Sequence, residues 1–196
     1  MEKTISVNKN PDGKYGLELR PLCGADIPLV EEWLNKEHVK RWYEIPEMGV
    51  TIADWSAEIR AYKGEYRWIT YLIVLLSGQP VGLCLYYKCT DSVGEDFGSL
   101  PLEGAYSIDY MIGEQSCIGK GMGKEMINLL IEKIASLPDA VLVTADADRE
   151  NRASVGVLTA CGFETLEPQK GQFVRLWRTC GGASREIHQE PPCPAR

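Results

Sequence analysis

The sequence is poor in the residues that build metal sites and disulfide frameworks. It contains 2 histidines, and its 7 cysteines form an odd set without a Cys-x-x-Cys pair. Structural zinc needs four closely spaced Cys or His ligands, and a disulfide framework needs paired cysteines, so both are disfavoured. We expect buried or incidental thiols and no bound metal.

Long apolar runs and excess positive charge are also lacking. The longest strongly apolar stretch, Ile69 to Leu76, is far shorter than the about 20 residues that span a membrane. The N-terminus lacks the basic and then apolar pattern of a signal peptide. A formal net charge of -7 disfavours nucleic acid, whose phosphates need a basic surface. These absences predict a cytoplasmic protein with no membrane or nucleic-acid partner, and they favour a cationic small molecule.

What the sequence does contain is a glycine-rich turn between an apolar stretch and an amphipathic one. The apolar stretch is Ile108 to Gly113, and the turn that follows contains Gly119, Gly121 and Gly123. Glycine permits tight turns, and the first turn of a helix offers unpaired N–H groups to an anion. The spacing is not that of a Walker A loop, and the turn lies too late for a Rossmann fingerprint. We predict a site for a phosphate-bearing ligand.

The turn resembles the acetyl-CoA loop of the GNAT acetyltransferases, Gln/Arg-x-x-Gly-x-Gly/Ala. Ile118 to Gly123 matches that pattern at every position except the first. The segments Asn151 to Ser154 and Ala160 to Phe163 are similar to the next helix and strand of the family. The resemblance implies a GNAT fold that binds acetyl-CoA.

The N-terminal half resembles one group within that family, the aminoglycoside 6'-N-acetyltransferases. The similarity lies in Glu32 to Val39, in Trp42, and in the pair Ile108-Asp109 before the loop. It spans roughly residues 17 to 178. The tryptophan-rich segment also resembles siderophore-pathway N-acyltransferases, so a second substrate class stays open.

Apolar periodicity predicts a mixed α/β (α+β) domain with one central sheet. The resemblance adds that the sheet is mostly antiparallel, is flanked by helices, and has splayed strands at the acetyl-CoA site. Residues 1–16 are expected to be a flexible leader, 17–179 the acetyltransferase domain, and 180–196 a disordered tail. Strands are predicted near residues 17–20, 67–76, 81–88, 105–112, 141–145, 163–166 and 172–177, and helices near 26–34, 51–63, 121–136 and 151–161.

The resemblance implies that a substrate amine attacks the acetyl-CoA thioester directly. Asp109 matches the family's catalytic aspartate and would take the proton of the amine, although a surface or loop-capping role is the alternative. A backbone N–H near Tyr110 or Met111 would polarise the carbonyl. Leu158 occupies the position where many relatives have a proton-donating Tyr, so the Tyr110 hydroxyl would serve instead, or the thiolate would leave unassisted.

The cofactor contacts are also implied by the resemblance. The two lysines of the loop could equally be solvent-exposed, and Asn151 would bind the pantetheine. Cys117 abuts the loop near a helix N-terminus, where thiolate character rises. The expected acetyl-CoA-binding residues are Met111, Ile112, Ile118, Gly119, Lys120, Gly121, Met122, Gly123, Lys124 and Asn151.

The expected substrate contacts are acidic and aromatic. Trp42 and Tyr43 follow a charged stretch and are placed in a loop, where they could form an aromatic floor for a sugar ring. The segment from Cys89 to Glu114 contains six acids and no Lys or Arg, and reads either as an acidic wall or as a solvated loop. Trp33 keeps helical step with its apolar neighbours and is expected in the core. The full set of expected substrate contacts is Trp42, Tyr43, Glu44, Glu95, Asp96, Asp109 and Asp146.

The sequence therefore predicts an acetyl-CoA-dependent N-acetyltransferase that acts on an amine of a cationic aminoglycoside, most simply the 6'-amine, and so gives resistance. A siderophore-type or polyamine-type N-acyltransferase and a catalytically weak acyl-CoA-binding sensor are the alternatives. The protein is expected to be a monomer or a homodimer.

Overall fold

The computed structural model describes residues 8–11, 13–167 and 171–181. Residues 1–7 and 12 of the expected leader, and residues 182–196 of the expected tail, lie outside these ranges. The strands are β1 Leu17–Pro21, β2 Thr70–Leu76, β3 Gln79–Lys88, β4 Ala105–Ile112, β5 Leu142–Asp148, β6 Glu164–Thr165 and β7 Phe173–Thr179. The α-helices are α1 Ile27–Leu34, α2 Glu37–Tyr43, α3 Ile52–Arg60, α4 Met122–Ala135 and α5 Arg152–Ala160.

The strands form one sheet in the order β1-β2-β3-β4-β5-β7-β6. All neighbours are antiparallel except β4 and β5, which are parallel and connected by a crossover through α4. A two-residue turn joins β2 to β3, because Ser77 and Gly78 both adopt positive φ angles of 51° and 77°. The predicted fold class, a mostly antiparallel sheet flanked by helices, is confirmed.

The parallel pair opens into a gap at one end of the sheet. β4 and β5 are paired only where Ala105–Ser107 face Leu142–Thr144. Beyond Ser107, β4 stays paired with β3 to Ile112, while β5 stays paired with β7 to Asp148. The strands therefore diverge after three paired residues, as the splayed-strand prediction requires.

Two hydrophobic layers cover the sheet, one on each face. Ile108 of β4 belongs to the cluster that contains the apolar faces of α4 and α5. Met111 belongs to the cluster formed with α1, α2 and α3. Side chains alternate between faces along a strand, so Asp109 points to the α1–α3 face and Tyr110 to the α4–α5 face. None of the described helices is long and apolar enough to cross a bilayer.

Two sequence predictions about local structure are wrong. Trp42 and Tyr43 lie at the end of helix α2, not in a loop. α2 has seven residues and one buried side chain, Val39, which is too little for a periodic signal. β5 continues to Asp148, so Asp146 lies within a strand rather than after it. The buried Ala145 and Ala147 flank the exposed Asp146, which is the alternation of a strand with one buried face.

Candidate active site

Asp109 lies on β4 where the parallel strands have already separated. Its side chain is half-buried, and Oδ1 accepts hydrogen bonds from the Tyr43 hydroxyl at 2.9 Å and from the Tyr110 backbone N–H at 2.5 Å. Among the residues that the structure describes, no Lys, Arg or His pairs with this carboxylate. The Tyr110 N–H, one of the two groups expected to polarise the substrate carbonyl, is thus already donating to Asp109.

Asp109 lines a pocket whose polar residues come from four elements, α2, α3, β2 and β4. Tyr43 at the end of α2 is held in place by Trp55 of α3, whose Nε1–H donates to the Tyr43 carbonyl at 2.8 Å. The two rings also meet edge to face, with their centroids 5.2 Å apart. Trp55, which the sequence did not single out as a site residue, also lines the pocket. The lining consists of Leu34, Tyr43, Trp55, Glu58, Ile59, Tyr71, Leu83, Leu85, Asp109, Tyr110 and Met111.

The pocket makes Asp109 a better proton acceptor than an ordinary carboxylate. Burial raises its pKa, the hydrogen bonds from Tyr43 and Tyr110 oppose that rise, and the charge of Asp146 adds to it. The pKa of Tyr43 is raised well above its usual value, first by burial and then by the charge of Asp109. Tyr43 therefore stays protonated and acts as a hydrogen-bond donor.

Tyr110 points to the other face of the sheet, toward the start of α5. Its hydroxyl lies 2.8 Å from Ser154 Oγ. Burial raises the pKa of Tyr110 to about 12, so the phenol keeps its proton near neutral pH. Leu158, at the position of the family's usual Tyr, is fully buried with 0% exposure. Asp109 and Tyr110 thus lie on opposite faces and can reach a common ligand only through the gap between β4 and β5.

The glycine-rich turn leaves an open surface at the start of α4. Gly119 and Gly121 have φ angles of 71° and 84°, and no atom lies within 4 Å of where a Cβ would be at either position. Gly121 is the N-cap of α4, and Lys120 and Lys124 are exposed beside it. Open space, left-handed glycines and unpaired helix N–H groups together suit the phosphates of coenzyme A.

Cys117 and Glu125 flank the glycine-rich turn, one before it and one after it. Cys117 is fully buried and burial raises its pKa, which agrees with the expected buried thiols and not with thiolate character at the helix N-terminus. Glu125, which sequence reasoning did not single out, accepts hydrogen bonds from the backbone N–H groups of Tyr15 at 2.7 Å and Leu17 at 2.8 Å. The Tyr15 hydroxyl in turn donates to the Lys120 carbonyl. The segment before β1 is therefore attached to the turn.

The other expected cofactor residues border the gap between the strands. Asn151 is the N-cap of α5, and its Oδ1 accepts a hydrogen bond from the Ser154 N–H at 3.1 Å. Its side-chain oxygen is thereby engaged in capping. Met111 and Ile112 form the end of β4, and the Ile112 carbonyl lies 3.0 Å from His38 Nε2. The described residues contain no group of three or more His, Cys, Asp or Glu side chains that could hold a metal ion.

Arg175 of β7 engages the acids that were expected to bind substrate. Its Nε donates to Asp146 Oδ1 at 2.7 Å, and its Nη2 lies 3.6 Å from Glu95 Oε1. The guanidinium also donates to the Asp96 carbonyl and lies over the Phe97 ring, 4.8 Å from the centroid. Arg175 therefore docks the acidic segment on the sheet and partly neutralises Glu95 of that segment and Asp146 of β5.

Two further expected substrate residues are not part of the pocket lining. The Trp42 ring lies under the Arg41 guanidinium, 4.4 Å from its centroid. Glu44 forms an ion pair with Lys40 at 3.5 Å. Of the aromatic and acidic residues at the end of α2, the structure brings Tyr43 to Asp109. The Trp42 and Glu44 side chains instead contact Arg41 and Lys40 of the same helix.

The fold and the glycine-rich turn agree with the family whose model matches this sequence. The family model of the acetyltransferase (GNAT) domain matches residues 16–164. The chain belongs to the GNAT acetyltransferases. Two relatives of this GNAT acetyltransferase are the aminoglycoside N(6')-acetyltransferases type 1 of Klebsiella pneumoniae and Serratia marcescens. Each is 25% identical over 164 residues, which is 82% of this chain and 82% of theirs.

Solved structures give the same fold. Aminoglycoside acetyltransferase AAC(6')-Ib in complex with coenzyme A has a TM-score of 0.70 at 24% identity, covering 84% of this GNAT acetyltransferase and 95% of that chain. Its complex with ribostamycin and coenzyme A has a TM-score of 0.71 at 22% identity, covering 83% and 93%. The aminoglycoside N(6')acetyltransferase of Legionella pneumophila has a TM-score of 0.67 at 17% identity, covering 87% and 96%. At these identities the likeness concerns the fold.

Proposed function

We propose that this GNAT acetyltransferase transfers an acetyl group from acetyl-CoA to an amine of a cationic aminoglycoside, at the 6' position, and so gives resistance. The observation that carries the proposal is the Asp109 carboxylate. It lies in an aromatic pocket beside the gap between β4 and β5, without a basic partner among the described residues. The relatives named as aminoglycoside N(6')-acetyltransferases support the substrate class.

Asp109 would orient the ammonium group and take its proton. An alkyl amine is mostly protonated near neutral pH and becomes a nucleophile only after deprotonation. Burial raises the pKa of Asp109, which strengthens it as a base, while the Tyr43 hydrogen bond keeps the charged form available. The carboxylate and the phenol thus form a pair that binds a cation and accepts a proton.

The cofactor would lie across the gap, with its phosphates at the turn before α4. Acetyl-CoA supplies an activated acetyl thioester to the site when it is bound. Backbone N–H groups at Gly121 to Gly123 would hold the pyrophosphate, with Lys120 and Lys124 beside it. Tyr110 would hold its proton on the α5 side, hydrogen-bonded to Ser154, ready to protonate a leaving thiolate.

The role of Tyr110 predicts that Tyr110→Phe lowers kcat by about 10²-fold, the lower end of the range for general acid catalysis, since acid assistance is lost while the ring still packs. Binding of acetyl-CoA should change little. Ser154→Ala, which removes the hydroxyl partner, should give a smaller loss in the same direction. An unchanged kcat in Tyr110→Phe would show that the thiolate leaves unassisted.

The proposed function is tested by thiol release from acetyl-CoA with neomycin and paromomycin, which differ in carrying an amine or a hydroxyl at the 6' position. Release with neomycin alone supports 6'-N-acetylation. Release with both moves the reaction to another amine. Release with neither, although coenzyme A binds, contradicts an aminoglycoside substrate and directs the search to polyamines or siderophore precursors.

A further inference from the structure

The pocket contains a second carboxylate, Glu58, which has no role in the proposed acetyl transfer. Glu58 lies half-buried on α3, and its Oε1 accepts a hydrogen bond from the Tyr71 hydroxyl at 2.6 Å. Among the described residues, no Lys, Arg or His forms an ion pair with it. A carboxylate removed from water without a cation is costly, so a cationic ligand would be favourable there.

The register of the sheet places this second group in line with Asp109. Tyr71 of β2 pairs with Leu85 of β3, and Leu85 pairs with Asp109 of β4. Directly paired residues share a face, and strands lie about 4.8 Å apart, so the Cα atoms of Tyr71 and Asp109 are about 10 Å apart. Leu85 forms the floor between them. The carboxylates of Glu58 and Asp109 therefore lie at the two ends of one narrow pocket.

Three other acids, Asp146, Glu95 and Glu114, differ from this pair because each has a basic partner. Arg175 holds Asp146 and Glu95, and Lys36 lies 3.4 Å from Glu114. Burial raises the pKa of Glu58, the Tyr71 hydrogen bond lowers it, and the charge of Asp109 raises it further. The two pocket carboxylates thus repel each other, and a ligand with two positive charges would relieve that repulsion.

We propose that Glu58, oriented by Tyr71, binds the ammonium group of a second amine on the same sugar ring as the amine that Asp109 deprotonates. The pocket would then prefer diamino sugars to sugars with a single amine. The inference rests on the proposed function, because that function identifies the reacting amine. Glu58 is a specificity-determining residue in this scheme, and Tyr71 is a positioning residue.

Kanamycin A and kanamycin B test this preference, since they differ in a hydroxyl or an amine at the 2' position of the ring that carries the 6'-amine. The wild type should show a kcat/KM about tenfold higher for kanamycin B, mainly through KM, as expected for a hydrogen bond to a charged group. Glu58→Gln keeps the size of the side chain and its bond to Tyr71 but removes the charge. This variant should lose the preference, with the larger loss of kcat/KM falling on kanamycin B.

Glu65→Gln is the matched control, because it removes one negative charge from an exposed position outside the pocket lining. It should keep the wild-type preference. Tyr71→Phe should reduce the preference less than Glu58→Gln does. Equal preference in wild type and Glu58→Gln would overturn the proposal, and so would an equal loss of kcat with both kanamycins, which would place Glu58 in the proton path.

Calorimetric titration of the coenzyme A-saturated protein separates this inference from the proposed function. Absence of thiol release with every aminoglycoside would contradict the proposed function. Binding would still decide the role of Glu58: tighter binding of kanamycin B that is lost in Glu58→Gln supports it. Equal affinity for the two kanamycins, or no binding of either, overturns it.

Discussion

At the scale of single residues, each of the two carboxylates in the pocket is hydrogen-bonded to one tyrosine hydroxyl. Tyr43 donates to Asp109, and Tyr71 donates to Glu58. In each pair burial raises the pKa of the carboxylate, while the phenol stabilises its charged form. A proton acceptor needs both properties, since it must be charged at working pH and still bind a proton during the reaction.

Replacing Asp109 tests its role as the base. Asp109→Asn should lower kcat by about 10²-fold or more, the range of general-base catalysis, with little change in coenzyme A affinity. Glu132→Gln, an exposed acid on α4, should leave both unchanged. Steady-state thiol release and calorimetry measure the two quantities. Unchanged turnover in Asp109→Asn would remove this residue from the mechanism.

The pH profile of kcat tests the Tyr43–Asp109 hydrogen bond. A base works deprotonated, so kcat should fall as the pH drops through the pKa of Asp109, which lies above the ordinary value of about 3.9. The bond from Tyr43 lowers that pKa. Tyr43→Phe should therefore shift the acidic limb to higher pH. A shift to lower pH, or no shift, would show that Tyr43 does not stabilise the carboxylate.

At the scale of elements, α1 and α2 are attached to the end of β4 and to the two residues that follow it. Trp33 of α1 is fully buried, as its helical spacing predicted, and its Nε1–H donates to Glu114 at 2.7 Å. His38 of α2 lies 3.0 Å from the Ile112 carbonyl. Gly113 lies under the Trp33 ring, where an added Cβ would come 2.1 Å from Cδ2. The strand end and the two helices form one packed unit.

The Gly113 contact predicts that Gly113→Ala lowers the free energy of unfolding by about 3 kcal/mol, the upper part of the range for overpacking a core. Gly156 in α5 offers a matched control, since nothing lies within 4 Å of its Cβ position. Gly156→Ala should raise the free energy of unfolding by about 0.5 to 1 kcal/mol through helix propensity. Urea unfolding measures both changes, and equal effects of the two substitutions would contradict the packing argument.

At the scale of the whole molecule, net charge favours cationic ligands, although the acids are distributed unevenly. The chain has a formal net charge of -7. Arg175 partly neutralises Glu95 and Asp146, whereas Asp109 and Glu58 have no basic partner among the described residues. Long-range attraction therefore comes from the whole surface, while recognition at short range belongs to the pocket.

Salt should weaken substrate capture if this long-range attraction operates. The Debye length falls from about 10 Å at 0.1 M salt to about 3 Å at 1 M. We expect kcat/KM to fall over that range while kcat changes little, and to fall more for neomycin than for kanamycin A, which carries fewer amines. A salt-independent kcat/KM would show that long-range attraction by the net charge does not contribute to substrate capture.

The order of the elements could be predicted from the sequence because the signals are local. The hairpin at Ser77 and Gly78, the strand from Ala105 to Ile112 and the glycine-rich turn before α4 all depend on neighbouring residues. The same signals placed Asp109 on a strand end beside the turn. α2 was missed because a seven-residue helix with one buried side chain has no periodicity to detect.

The sequence by itself determined the fold class, the glycine-rich turn and the position of Asp109 along the chain, since alternation and turn chemistry act over a few residues. Only the tertiary structure decided which side chains meet Asp109 and which acids are neutralised. Tyr43 and Asp109 are 66 residues apart, and Asp146 and Arg175 are 29 apart. Such contacts depend on sheet register and on the docking of helices, which no local pattern specifies.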